Sequence, residues 1–200
     1  GYMLLGTNNG LYRFDGQRFT PILFNNPDYT DTVTALHTAS DRTIWAGFLN
    51  GRLAKVVDHK LVYYNPEEGT PSKKITAFAT DSGKNIWYAT AGEGLYFIHN
   101  GRQYLVNEQN GLADLHVNTI CATANGDILA GTDQGMYICR RNGSKVKATV
   151  MGTREGLPDY LVTSIVPIDD HRFIVGMQEK GICIYDHRNK SIELPASVAG

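Results

Sequence analysis

The chain contains residue types able to do acid–base, nucleophilic and metal chemistry, but their spacing matches no catalytic motif. Six histidines occur, and none forms the H-E-x-x-H pair that sets two imidazoles on one helical face around zinc. His59, His99, His171 and His187 fall in polar turn sequences, which marks them as surface groups. Cys121, Cys139 and Cys183 are odd in number, lack C-x-x-C spacing and sit in apolar strand-like runs. They read as small buried hydrophobes, not as a disulfide or a metal set. There is no G-x-S-x-G elbow and no G-x-x-x-x-G-K-[ST] phosphate loop. Glycoside cleavage needs two carboxylates held about 5 to 9 Å apart. Asp28, Glu93 and Asp159 are available, and only a fold can decide whether any two meet. The segment therefore reads as non-catalytic, with no metal and no cofactor expected.

The elements that would position such groups follow from a repeat. The stretch Asn85-Ile86-Trp87-Tyr88-Ala89-Thr90 to Gly94-Leu95-Tyr96-Phe97 is a short apolar strand, a glycine turn and a second strand. The position of Trp87 is held by Leu4, Trp45, Leu129 and Ile174 in the other copies, at steps of 41, 42, 42 and 45 residues. Ahead of each full copy comes a quartet with a β-branched first residue: Val33-Thr34-Ala35-Leu36, Ile75-Thr76-Ala77-Phe78, Val117-Asn118-Thr119-Ile120 and Val162-Thr163-Ser164-Ile165. Hairpin signals such as Asp15-Gly16, Asn100-Gly101 and Asn142-Gly143 precede an outer strand. Four short strands per period of this length, with no helical periodicity, are the mark of a β-propeller blade.

The expected fold is all-β, a propeller of four-stranded antiparallel blades at approximately 1–24, 33–65, 75–107, 117–150 and 162–195, within one domain spanning 1–200. The first copy lacks its innermost strand, so about 4.75 blades are present. Propellers close with about 4 to 8 blades. The expectation is a fragment or open arc of a larger, seven-bladed ring, itself part of a larger sensor region. Trp45 and Trp87 should pack between sheets. The small residue ending the same strand, Gly6, Gly47, Ala89, Gly131 or Gly176, should be required sterically where blades converge.

Composition narrows the classes of partner. The chain has 200 residues, 42% of them apolar, enough for a substantial core. Its 19 basic and 20 acidic residues are scattered and give a net charge of -1, which argues against nucleic acid. No apolar run approaches the roughly 20 residues that span a bilayer, and the N-terminus has no signal-peptide pattern. The chain begins partway through a repeat, so an upstream targeting segment is expected to lie outside it.

The segments between repeats are long and unlike one another: Asn25 to Thr32, Asn65 to Lys74, Asn107 to His116 and Met151 to Leu161. In a propeller these connections share one face with the turns between the second and third strands, and loops on a rigid scaffold are where binding residues sit. Tyr29, Glu93, His116, Arg154, Asp159, Tyr160 and Gln178 would project there as candidate ligand-binding residues. Their aromatic planes and hydrogen-bonding groups suit a sugar or another polar ligand.

Two of these segments, Gly111-Leu112-Ala113-Asp114 running on to Val117-Asn118-Thr119-Ile120 and Gly156-Leu157-Pro158-Asp159 running on to Val162-Thr163-Ser164-Ile165, share one frame. With Asp81-Ser82-Gly83-Lys84-Asn85-Ile86-Trp87 and Gly94-Leu95-Tyr96, the chain resembles the two-component regulator propeller repeat over nearly its whole length. Leu129 and Ile174 depart from that pattern by replacing Trp, and Phe48-Leu49-Asn50 replaces its Thr-x-x run. WD and kelch repeats fit less well, since no Trp-Asp dipeptide or double glycine recurs.

The resemblance implies part of the periplasmic sensor region of a Bacteroidetes hybrid two-component regulator, a histidine kinase of an inner membrane. Such a region would detect a glycan-derived oligosaccharide and signal to transcription of polysaccharide-use genes. Its expected partners are that oligosaccharide, neighbouring blades or sensor domains of a parent protein, and a second copy in a homodimer. A protein-interaction scaffold without a small ligand and a glycan-cleaving propeller enzyme are the alternatives.

Overall fold

A computed structural model of the chain describes residues 2–24 and 31–194. Nineteen strands form five antiparallel sheets, one of three strands and four of four, each in simple up-and-down order. The first sheet is β1 (Met3–Thr7), β2 (Gly10–Phe14) and β3 (Phe19–Ile22). The second is β4 (Val33–Thr38), β5 (Ile44–Phe48), β6 (Leu53–Val57) and β7 (Lys60–Tyr64). The third is β8 (Ile75–Thr80), β9 (Ile86–Thr90), β10 (Leu95–His99) and β11 (Arg102–Val106). The fourth is β12 (Val117–Ala122), β13 (Ile128–Thr132), β14 (Gly135–Asn142) and β15 (Lys145–Met151). The fifth is β16 (Val162–Pro167), β17 (Arg172–Met177), β18 (Gly181–Asp186) and β19 (Ser191–Glu193). This is the partial propeller expected from the repeat, with an incomplete first blade.

Period-two alternation gives each middle sheet two apolar faces, and the five sheets enclose four cores. Trp45 lies between the second and third sheets with Leu53, Ile75, Phe78 and Tyr88. Trp87, fully buried, lies between the third and fourth with Phe97, Val117, Ile128 and Cys139. Its ring stacks on Phe97 at 4.7 Å. Where Trp is replaced by Leu129, the space between the fourth and fifth sheets is filled by Met136, Phe173 and Tyr185. Cys139 and Cys183 are buried in these cores, and Cys121 is half-buried beside one; all three are free thiols.

The inner strands carry a second device. The pairing of β4, β8, β12 and β16 slips at their second residue, Thr34, Thr76, Asn118 and Thr163. A bulge turns that side chain out of its own ladder, and three of the four reach the next inner strand. Thr34 Oγ1 donates to the Ile75 carbonyl at 2.6 Å and Thr76 Oγ1 to the Val117 carbonyl at 2.6 Å. Asn118 Nδ2 donates to the Val162 carbonyl at 3.1 Å. Thr163, in the last sheet, bonds within its own blade to the Gly176 carbonyl. The β-branched residue ahead of each bulge explains the small residue on the preceding blade. A Cβ on Gly47 would stand 2.5 Å from Ile75 Cγ2, and one on Gly131 would stand 2.5 Å from Val162 Cγ1.

Two features depart from the sequence reading. Short 3-10 turns occur at Glu108–Asn110 and Thr153–Glu155, too brief to leave a periodic trace. The histidines in polar turns are not all surface groups. His99 is half-buried, its Nδ1 2.8 Å from Asn85 Oδ1, and the His187 side chain is 9% exposed with Nε2 3.2 Å from Asp127 Oδ2. Asn85 covers His99 from within its own blade and Asp127 meets His187 from the neighbouring one, partners that a reading of local turn polarity does not see.

Candidate functional site

The connections between sheets are clasped to the turns between second and third strands, three to the turn of the sheet they lead into and one to the turn of the sheet they leave, and these clasps build the candidate face. Ahead of the third sheet, Ser72 donates its Oγ to Glu93 Oε1 at 2.6 Å and its amide to Glu93 Oε2 at 3.1 Å. Ahead of the fourth, the amides of Gly92 and Gly94 both donate to the Leu115 carbonyl, and Ala91 bridges His116. Ahead of the fifth, buried Asp159 accepts from the Glu179 amide at 2.9 Å, while the Gln178 amide donates to the Leu161 carbonyl. The Glu179 amide, followed by the Tyr160 amide, holds the Asp159 carboxyl below its usual range. Ahead of the second, Asn50 Nδ2 donates to Asp31 Oδ2.

Each connection is itself pre-shaped. Asn107 caps the first 3-10 turn by accepting from the Gln109 amide at 3.1 Å, and Asn110 reaches back to the Asn107 amide at 3.1 Å. Gly111 then turns the chain with φ of +91°, a value that costs other residues energy. A Cβ there would also lie 2.5 Å from the Ala148 carbonyl oxygen. Leu112 and Leu157, which follow the turn glycines of the two 3-10 segments, are buried and anchor the loops in the cores. These residues are the Gly-Leu frame that recurs in the sequence.

On this base the seven candidate residues divide. His116, Arg154, Tyr160 and Gln178 are exposed, with Tyr160 51% uncovered and the His116 side chain 62% uncovered. Glu93 and Asp159 are committed to clasps in different sheets, where they position loops. Tyr29 and Asp28 lie outside the described residues. The sequence reading passed over Asp114, which occupies the position of Asp159 in the preceding connection. Its Oδ1 accepts from the His116 amide at 3.0 Å, whereas buried Oδ2 has no hydrogen-bond partner among the described residues. The shared Gly-Leu-x-Asp frame was the available signal.

The opposite face, where inner strands turn into second strands, holds the strongest polar cluster. Asp81 accepts from the Asn85 amide at 2.9 Å, from Asn85 Nδ2 at 2.8 Å, from Trp87 Nε1 at 3.0 Å and from Arg141 Nε at 3.1 Å. Burial pushes its carboxyl up, but the Trp87 and Asn85 hydrogen bonds and the Arg141 charge outweigh that and hold it below its usual range. Arg141 belongs to β14, so the cluster ties the third sheet to the fourth. Among the described residues no group of three or more His, Cys, Asp or Glu side chains is arranged to hold a metal ion, and no helix is long and apolar enough to cross a membrane.

No protein-family model matches the sequence, and no curated protein matches it. The fold, by contrast, is found among solved structures. The extracellular domain of a hybrid two-component system from B. thetaiotaomicron superposes with a TM-score of 0.78 at 17% identity, over 96% of this chain and 27% of that one. A second such domain from the same organism gives a TM-score of 0.75 at 18% identity, over 96% and 26%. A virginiamycin B lyase from Staphylococcus aureus gives 0.68 at 13% identity, over 98% and 70%. The chain thus spans about a quarter of the length of the two extracellular domains, and it shares their propeller architecture.

Proposed function

We propose that this chain is a non-catalytic, extracytoplasmic ligand-sensing segment of a two-component regulator, and that its ligand is a glycan-derived oligosaccharide. The observation that carries this reading is the clasped loop face. Turns and connections are tied together by short hydrogen bonds, and exposed His116, Arg154, Tyr160 and Gln178 stand on that rigid base. A half-uncovered tyrosine ring offers the flat apolar surface that stacks on a pyranose, and the polar side chains supply orientation. The fold shared with extracellular domains of two-component systems supports the sensor role and a periplasmic location.

The segment is one domain of a larger ring in this reading. Met3 and Phe19 are exposed on the outer side of the first sheet, and Val166 and Ile182 on that of the fifth. Further blades of a parent protein, or a second copy of the chain, would cover them. The same exposed faces favour a protein-interaction scaffold as the second reading.

Calorimetric titration of the protein with a panel of oligosaccharides tests the proposal. Saturable binding without turnover is expected, with Tyr160→Ala weakening it about tenfold, or about 1.4 kcal/mol. Cleavage products would replace the sensor with an enzyme, and absence of binding across the panel would leave the scaffold.

A further inference from the structure

The rim between the fourth and fifth sheets is built unlike the others. Among the described residues β14 and β15 are the longest strands, with 8 and 7 residues, while β18 of the facing hairpin has 6. Val146 and Ala148 of the β14–β15 hairpin pack against the third sheet, and among the described residues the other side of that hairpin is left open. The opening is a groove of about 570 Å³ lined by Ile138, Val146 and Thr149 together with Arg140, Lys145, Lys147, His187 and Lys190. A second cavity of about 510 Å³ meets it at Arg140, His187 and Lys190.

The charge in this groove is unbalanced. Asp127, with a side chain 6% exposed, is held by Arg140 through Nε at 3.1 Å and Nη2 at 2.8 Å, and it lies 3.2 Å from His187 Nε2. That set fixes the groove's inner wall. Among the described residues no carboxylate lies within 4.0 Å of Lys145, Lys147 or Lys190. Three exposed ammonium groups therefore border one cleft in a chain whose net charge is -1. A volume near 570 Å³ falls within the range of about 300 to 1,000 Å³ usual for small-molecule sites.

We propose that this groove binds a small acidic sugar, a fragment of one or two rings carrying carboxylate or sulfate groups. The lysines supply the charge that recognises the oxyanions, and half-buried Ile138 supplies apolar surface for a ring body, which free sulfate or phosphate lacks. Arg140 and His187, fixed by Asp127, set the shape of the wall. The site is separate from the clasped loop face and does not depend on that face binding anything.

The test is calorimetric titration of the whole chain at low ionic strength with a sulfated, uronate-containing disaccharide, a neutral disaccharide of the same size, and sodium sulfate. Saturable binding of the acidic disaccharide is expected at a Kd of about 1 mM or tighter, weakening as salt is added. Removing exposed lysine charges one at a time should cost about two- to fivefold each. Lys147→Gln with Lys190→Gln should thus weaken binding about tenfold, while Lys60→Gln, at an exposed lysine of the second sheet, leaves it unchanged. Both lysines are exposed, so an unaltered melting temperature will accompany the substitutions. Binding indifferent to the double substitution, or no binding, overturns the site. Equal affinity for sodium sulfate or for the neutral sugar overturns the assignment to an acidic sugar.

Discussion

Replacing Asp81 by alanine should be the most costly single polar change among the described residues. The carboxylate serves the Asn85 amide and side chain, Trp87 Nε1 and Arg141 Nε at distances of 2.8 to 3.1 Å. Its removal leaves the indole N–H of a fully buried tryptophan unpaired, at about 1 to 3 kcal/mol. It also strands Arg141, whose side chain is only 16% exposed. Breaking a buried pair by removing one partner costs about 3 to 5 kcal/mol. The two effects overlap, and a total of about 4 kcal/mol is expected. For a chain of this size, at about 2 to 4 °C per kcal/mol, that is a fall in Tm of about 8 to 16 °C. The assay is thermal and urea unfolding followed by circular dichroism, with Arg141→Leu and the double variant completing a cycle. Coupling of about 1 to 3 kcal/mol is expected between the two sites. A loss below about 1 kcal/mol for Asp81→Ala, or strict additivity with Arg141→Leu, would refute the account of the cluster as an inter-sheet tie.

The same carboxylate sets an acid limit. Because its folded pKa lies below the usual aspartate value of about 3.9, its stabilisation is present above that value and is lost as pH falls through the lower folded pKa. Asp81→Asn should flatten this part of the pH–stability curve below about pH 4, and an unchanged slope would contradict it. Trp87→Ala should cost about 3 to 5 kcal/mol, since the side chain is fully buried between two sheets; an unchanged urea midpoint would mean that the core is not built around it. The thiols should be inert. Burial pushes Cys139 up to about 12 and Cys183 up to about 11, and raises Cys121 as well. A maleimide at neutral pH should label none of the three in the native protein and all of them in denaturant, and rapid native labelling would disprove their burial.

The blades were legible because a propeller repeats its sterics. Glycine or alanine must end the second strand wherever the next inner strand crowds it, and Val33, Ile75, Val117 and Val162 do so in turn. The loop face was legible in outline for the same reason, through the Gly-Leu-x-Asp frame. The details were not, because they depend on pairs from different blades. Nothing in the order of residues puts Asp81 against Arg141, 60 positions away. Nor does it put Asn125 and Asp127 beside His187, which reads locally as one more polar turn residue. The basic groove is harder still to foresee. Its lysines come from two hairpins of different blades, Lys145 and Lys147 from β14–β15 and Lys190 from β18–β19, whose meeting no local pattern encodes.

The side chains of the slipped inner strands have one further consequence. Thr34, Thr76 and Asn118 sew the backbone of each inner strand to the next, all at the narrow end of the wedge between sheets. Among the described residues the wide end between the fourth and fifth sheets is held by side-chain contacts and is partly open. Such an arrangement works like the spine of a book: neighbouring sheets cannot slide or part along the sewn line, whereas a small rotation about it changes the gap at the outer margin. Any molecule wedged into that margin would therefore alter the angle between two pages and leave the binding intact.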